Sequence, residues 1–118
     1  MSGKMTNLNL LAAIRQSVTN DRAAARQDPA TSPRRQQGTI ERYASRHEHT
    51  VTVWAEDLDT SGSVPPWERP DLGKKLADLD SDDAVIVSKL DLLSRSLLDF
   101  ASFLHWLDER DKSVRLSA

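Results

Sequence analysis

Three short clusters carry side chains suited to phosphate esters and proton transfer. The first is Arg15-Gln16-Ser17, a cation and a hydroxyl two residues apart. In an extended strand, residues at that spacing point the same way. Serine is a weak nucleophile until its surroundings activate it and steady the developing charge. Arginine suits a phosphodiester because it stays charged and donates paired hydrogen bonds to phosphate oxygens. The second cluster is Ser88-Lys89-Leu90-Asp91-Leu92-Leu93-Ser94-Arg95-Ser96. Here Asp91 fits a helix N-cap as well as a proton donor or acceptor, and Arg95 follows as a candidate phosphate ligand one turn into the helix. The third is Ser61-Gly62-Ser63 followed by Trp67-Glu68-Arg69-Pro70. Glycine between serines reads as a flexible loop, and Arg69 as a solvated charge or a ligand reaching over to a phosphate. Taken singly, each fragment is common and has a plain structural explanation.

The flanking patterns say what must position these groups. Leu8 to Val18 is an apolar run that turns polar at Arg15, as a buried parallel strand does where its end opens onto a site. Thr19 to Pro33 is polar and reads as a long loop. Ser32-Pro33 opens a helix as N-cap and first helical residue, with Ile40, Tyr43 and Ala44 facing the core. Thr50 to Trp54 is β-branched and aromatic, a second strand, and Glu56 to Pro66 reads as a loop. Arg69-Pro70-Asp71 leads into a helix with a Leu72, Leu76, Leu79 stripe, and Ala84 to Leu90 is a third strand. Ser94 to Arg110 predicts an amphipathic helix with Leu97, Phe100, Ala101, Leu104 and Leu107 on its buried face; Val114 to Leu116 begins a fourth strand. Strands alternating with helices predict an α/β fold, a mostly parallel sheet of about four strands with helices on both faces and right-handed crossovers. Active groups in such sheets lie beyond the carboxyl ends of the strands, where Arg15 and Ser17 would meet Asp91.

Length and composition bound the possibilities. At 118 residues, 38% hydrophobic and 29% charged, the chain suits one domain with one core. The formal net charge is −2, which lacks the basic excess of a stand-alone DNA-binding module. There are no cysteines, so disulfides and thiolate metal sites are excluded. No stretch resembles a membrane span or a cleavable leader, so a cytoplasmic protein is the default expectation.

Set in order, the fragments become more specific. Ile14-Arg15-Gln16-Ser17, Ser32 with Arg35-Gln36, Glu56-Asp57, Ser61-Gly62-Ser63, Glu68-Arg69-Pro70-Asp71-Leu72, Val87-Ser88-Lys89-Leu90-Asp91 and Leu93-Ser94-Arg95-Ser96 together resemble serine site-specific recombinases of the resolvase/invertase family. The pattern is most similar to the N-terminal catalytic domain of the large serine integrases of actinobacterial phages and mobile elements. The resemblance implies a resolvase-like three-layer fold over residues 8–118, preceded by a disordered tail at 1–7. It implies that Ser17 is the nucleophile forming a 5′-phosphoserine bond to DNA. Arg15, Arg69 and Arg95 would bind and neutralise the scissile phosphate, and Asp91 would serve as acid for the leaving oxygen. The family uses no metal and no cofactor, binds DNA and recombines it by rotation within a tetramer built from dimers.

Three departures temper the resemblance. Leu92 stands where the family has arginine after the aspartate, and Ala13 where an aromatic residue is usual. The chain also ends at the fourth strand, so the expected domain is incomplete and lacks the oligomerisation helix and DNA-binding domains. Removing one preorganised phosphate donor costs roughly 10²–10³ in rate, so impaired recombination is expected. The alternative is a non-enzymatic remnant or interaction module on the same scaffold. A flavodoxin-like or receiver domain would need an acidic cluster or phosphate loop after the first strand, which Arg15-Gln16-Ser17 does not supply. His47-x-His49 lacks a third metal ligand, and a Ser17, His105, Asp91 triad asks too much of a surface histidine. Trp54 and Trp106 read as core, and Trp67 alone as a contact residue.

Overall fold

The first strand is apolar on both faces because both are covered. The structure, a computed structural model, describes residues 7–16, 32–79 and 82–117. Strand β1 (Asn9–Gln16) lies inside a four-stranded sheet of order β2-β1-β3-β4, with β2 at Thr50–Leu58, β3 at Ala84–Val87 and β4 at Ser113–Leu116. Every pairing is parallel, as the alternation of elements predicts. The expected 1–7 tail and the 19–33 loop fall almost wholly outside the described residues.

Period-two alternation along β1 sorts its side chains between two cores. Leu10, Ala12 and Ile14 join Ile40, Ala44, Ala84 and Ile86 under helix α1 (Pro33–His47). Leu11 and Ala13 join Leu72, Leu76, Leu79, Val85, Val87, Leu92, Leu93, Phe103 and Leu107 on the other face. That second layer consists of α2 (Leu72–Leu76), α3 (Leu90–Leu93) and α4 (Leu97–Asp108). Helix α1 starts as expected: the Ser32 side chain accepts from the Arg35 amide, and Pro33 is the first helical residue.

Four boundaries or faces differ from the sequence reading. Strand β2 runs to Leu58 instead of ending at Trp54, because Ala55–Leu58 pairs with Ala13–Gln16. The acidic pair survives in the strand because the Asp57 carboxylate accepts from the Asp71 and Leu72 amides at the start of α2. Strand β3 stops at Val87, short of Leu90, and the chain turns into the one-turn helix α3. The long helix begins at Leu97, not Ser94. Its N-cap is Ser96, whose hydroxyl accepts from the Asp99 amide, and Ser94 is fully extended.

The buried face of α4 is also turned by about a quarter revolution from the expected one. Phe103 and Leu107 are buried and Phe100 and Trp106 pack beside them, whereas Leu97 is 83% exposed and Ala101 and Leu104 also face outward. Aromatic side chains bury more area than leucine, so their stripe sets the rotation. No helix among the described residues is long and apolar enough to cross a membrane.

Candidate active site

Beyond the carboxyl ends of β1 and β3, two arginines are driven into the protein by the elements that carry them. Arg15 is the penultimate residue of β1 and only 4% exposed. Its Nε donates to the Leu92 carbonyl at 3.3 Å and its Nη1 to the Thr60 carbonyl at 2.9 Å. Arg69 follows the short turn Pro66–Glu68 and is 2% exposed. It donates from Nε to the Val64 carbonyl at 3.1 Å, from Nη1 to the Leu92 carbonyl at 2.9 Å and from Nη2 to the Leu93 carbonyl at 2.6 Å. Arg69 is therefore not a solvated surface charge. The two guanidinium groups meet at one oxygen, the Leu92 carbonyl.

Burial, and then repulsion between arginines, weakens the hold of both cations on their protons. Burial, then the neighbouring Arg15, lowers the Arg69 guanidinium to about 10, with Asp57 pulling the other way. Burial, then Arg95, also lowers Arg15, opposed by Asp91. Arg95 and Asp91 thus lie within electrostatic reach of Arg15, and both are exposed. Arg95 sits in the extended link between α3 and α4, not one turn into a helix. Asp91 sits within α3 and caps neither helix. The segments bearing Arg15, Arg69, Asp91 and Arg95 are brought together. Ser17 lies outside the described residues.

Leu92, the residue in the place of an expected arginine, turns its side chain into the core and is 4% exposed. Only its carbonyl faces the site. Ala13 packs in the same core.

Two residues quoted in the motif, but given no role by the sequence, organise the site. Gln36 is fully buried on α1; its Oε1 accepts from the Arg15 amide at 3.1 Å and its Nε2 donates to the Arg15 carbonyl at 2.8 Å. Beyond Ala12 no β3 residue pairs with β1, and the Gln36 amide supplies main-chain partners there instead. The readable signal was a polar residue on the same helical stripe as Ile40 and Ala44. Asp57 is the other, tying the strand before the serine-glycine turn to the helix after Arg69. Asp71 reciprocates, accepting from the Glu56 amide at 2.7 Å and from Lys75 Nζ at 2.6 Å.

The residues set aside from the site behave as surface or core groups. His105 is exposed on α4 and faces Glu109 at 3.3 Å. His49 accepts from the Leu8 amide through Nδ1 and its ring lies near those of Tyr43 and His47. Trp54 and Trp106 pack against the two cores, and Trp67 is largely exposed.

The fold is similar to those of solved recombinase domains. The N-terminal catalytic domain of TP901-1 integrase shares 27% identity at a TM-score of 0.75, over 92% of this chain and 77% of that one. The C-terminal catalytic domain of ISC1926 TnpA, an IS607-like serine recombinase, shares 20% identity at a TM-score of 0.71, over 93% of this chain and 67% of that one. A resolvase family site-specific recombinase from Streptococcus pneumoniae shares 13% identity at a TM-score of 0.69, over 94% and 72%. Comparison with curated protein sequences gives no match. The family model described as "Resolvase, N terminal domain" matches residues 11–118, nearly the whole chain, and the chain therefore belongs to the resolvase N-terminal domain family.

Proposed function

We propose that this chain is the catalytic domain of a site-specific DNA recombinase, acting in the cytoplasm on DNA through a 5′-phosphoserine and impaired by Leu92. The observation that carries the reading is the convergence of Arg15, Arg69 and Arg95, with Asp91, beyond the carboxyl ends of a parallel sheet. Clustered cations of that kind repel one another and suit a group that brings negative charge.

In this reading Ser17 Oγ attacks the phosphorus, the bond from phosphorus to the 3′ oxygen breaks, and the serine becomes esterified to the 5′ phosphate. The serine hydroxyl gives its proton to water as it attacks, and the departing 3′ oxygen takes one from Asp91, which is reloaded from water. The ester energy is kept in the phosphoserine, so a 3′ hydroxyl attacking it rejoins the strand without a cofactor. Arg95, exposed, contacts the phosphate oxygens. Arg15 and Arg69 form the cationic floor, where low dielectric strengthens their field on the developing charge. Assembly into dimers and tetramers belongs to the same reading.

Impairment rests on Leu92. A buried leucine side chain supplies no donor, and its carbonyl engages the two floor arginines. This same observation favours the second reading, a non-enzymatic interaction module. Incubation with a nicked duplex, followed by denaturing electrophoresis, separates them. We expect no covalent adduct from the native chain and a Ser17-linked adduct from Leu92→Arg. An adduct on the native chain refutes impairment, one that survives Ser17→Ala refutes the nucleophile, and none from either chain, with Leu92→Arg shown by circular dichroism to be folded, favours the interaction module.

A further inference from the structure

We propose that Gly62 is a positioning residue whose missing side chain forms the seat for Arg95, within a turn that sets all three arginines relative to one another. The inference rests on the phosphate-binding reading of Arg95 given above. A Cβ added at Gly62 would lie 2.6 Å from Arg95 Nε, 2.8 Å from its Cδ and 3.1 Å from its Cζ. Contacts that short do not persist, so the arginine lies where any larger residue would stand. The backbone does not explain the glycine, because no glycine among the described residues has positive φ. The reason lies in the space that Arg95 occupies.

The turn around Gly62 is fixed at both ends by the other two arginines. Arg15 Nη1 holds the Thr60 carbonyl at 2.9 Å, and Arg69 Nε holds the Val64 carbonyl at 3.1 Å. Between them the turn is braced internally: the Ser61 and Ser63 hydroxyls lie 2.9 Å apart, the Ser63 amide donates to Ser61 Oγ at 3.1 Å, and the Val64 amide donates to the Ser61 carbonyl at 3.1 Å. Arg15 grips one end, Arg69 the other, and Arg95 lies on the middle. Five residues of turn thereby link guanidinium groups that come from three separate segments. An arginine pressed onto main chain has lost much of its rotamer freedom before a ligand arrives, so less is lost on binding.

Because the crowded atoms belong to a flexible side chain, Gly62→Ala displaces Arg95 and leaves the turn in place. The test is a double-mutant cycle of Gly62→Ala and Arg95→Ala, read as fluorescence anisotropy of a labelled duplex of about 20 base pairs at several salt concentrations. Arg95→Ala is expected to weaken binding about tenfold and lower the salt slope by about one. Gly62→Ala takes most of that loss, and adding it to Arg95→Ala costs nothing further. Unchanged affinity in Gly62→Ala, or a loss of equal size in the Arg95→Ala background, overturns the positioning role and leaves the phosphate reading intact. Unchanged affinity in Arg95→Ala overturns both. In the unaltered chain, a nuclear Overhauser contact between Gly62 Hα and Arg95 Hδ is expected, and its absence overturns the seat whatever the variants do.

Discussion

Replacing Gln36 with leucine probes how the end of β1 is held. Leucine is close to glutamine in size and suits the apolar stripe of α1, so packing with Ile40 and Ala44 survives. The two bonds to Arg15, at 3.1 Å to its amide and 2.8 Å from the side-chain amide to its carbonyl, do not. Each buried main-chain group left without a partner costs about 1–3 kcal/mol. Relief from burying the glutamine amide offsets part of this, giving a net loss of about 2–4 kcal/mol. A domain of this size has about 5–15 kcal/mol in total, so the thermal midpoint should fall by roughly 10 °C. Urea unfolding measures the loss, and hydrogen exchange at the Arg15 amide localises it. Gln36→Glu keeps the acceptor and loses the donor at neutral pH. Its deficit should shrink as acid protonates the new carboxyl and restores an O–H donor to the Arg15 carbonyl. A Gln36→Leu variant within about 0.5 kcal/mol of the native chain, with Arg15 exchange unchanged, would refute the claim that this amide takes the place of a neighbouring strand.

Other consequences can be checked on the same protein. Arg69→Lys replaces a planar fork on three carbonyls with one ammonium group and should cost about 2–3 kcal/mol in urea unfolding, while the exposed Arg95→Lys should cost almost nothing. Burial raises the Asp71 carboxyl, but the Lys75 hydrogen bond and the Glu56 amide outweigh it and hold it below the ordinary range. Its stabilisation is therefore present above the unfolded-state value and lost as pH falls through the lowered one. In acid titration of stability, Asp71→Asn should remove that part of the decline, no more than about 1 kcal/mol because the pair is solvent-screened. On α4, Leu97→Ser should stay within about 0.5 kcal/mol of the native chain, whereas Phe103→Ala should cost about 3–5 kcal/mol.

The sequence made legible those features in which local chemistry and burial agree. The Leu72, Leu76, Leu79 stripe is buried as read, although the helix proper closes at Leu76. Ser32-Pro33 starts a helix because both residues satisfy the same end of it. The α4 face differs from the reading because Leu97, Ala101 and Leu104 on one side and Phe100, Phe103 and Trp106 on the other offer two stripes, and it is the larger aromatic one that packs on the sheet. Strand β2 looked short because acidic residues argue for a loop, and nothing local reveals that an amide pair fourteen residues on will take Asp57. Arg15, Arg69, Asp91 and Arg95 were readable as candidates from order and spacing. The burial of the first two, and the roles of Gln36 and Gly62, depend on which main-chain oxygens and open spaces the fold leaves beside them.

The position of β1 in the sheet has a consequence for how the molecule is made. Its two edges are closed by sequence-distant neighbours: Asn9 pairs with Thr50 of β2 and Leu10 with Ala84 of β3. During synthesis the long apolar strand β1 emerges before its neighbours and then waits, one edge unmatched until β2 is out and the other until β3 follows. Closing loops of that length is entropically unfavourable, so assembly is slow, and the sheet around β1 is complete only when β3 has appeared. A ribosome paused before Ala84 would therefore display an adhesive ribbon, and chaperone engagement should concentrate in that interval.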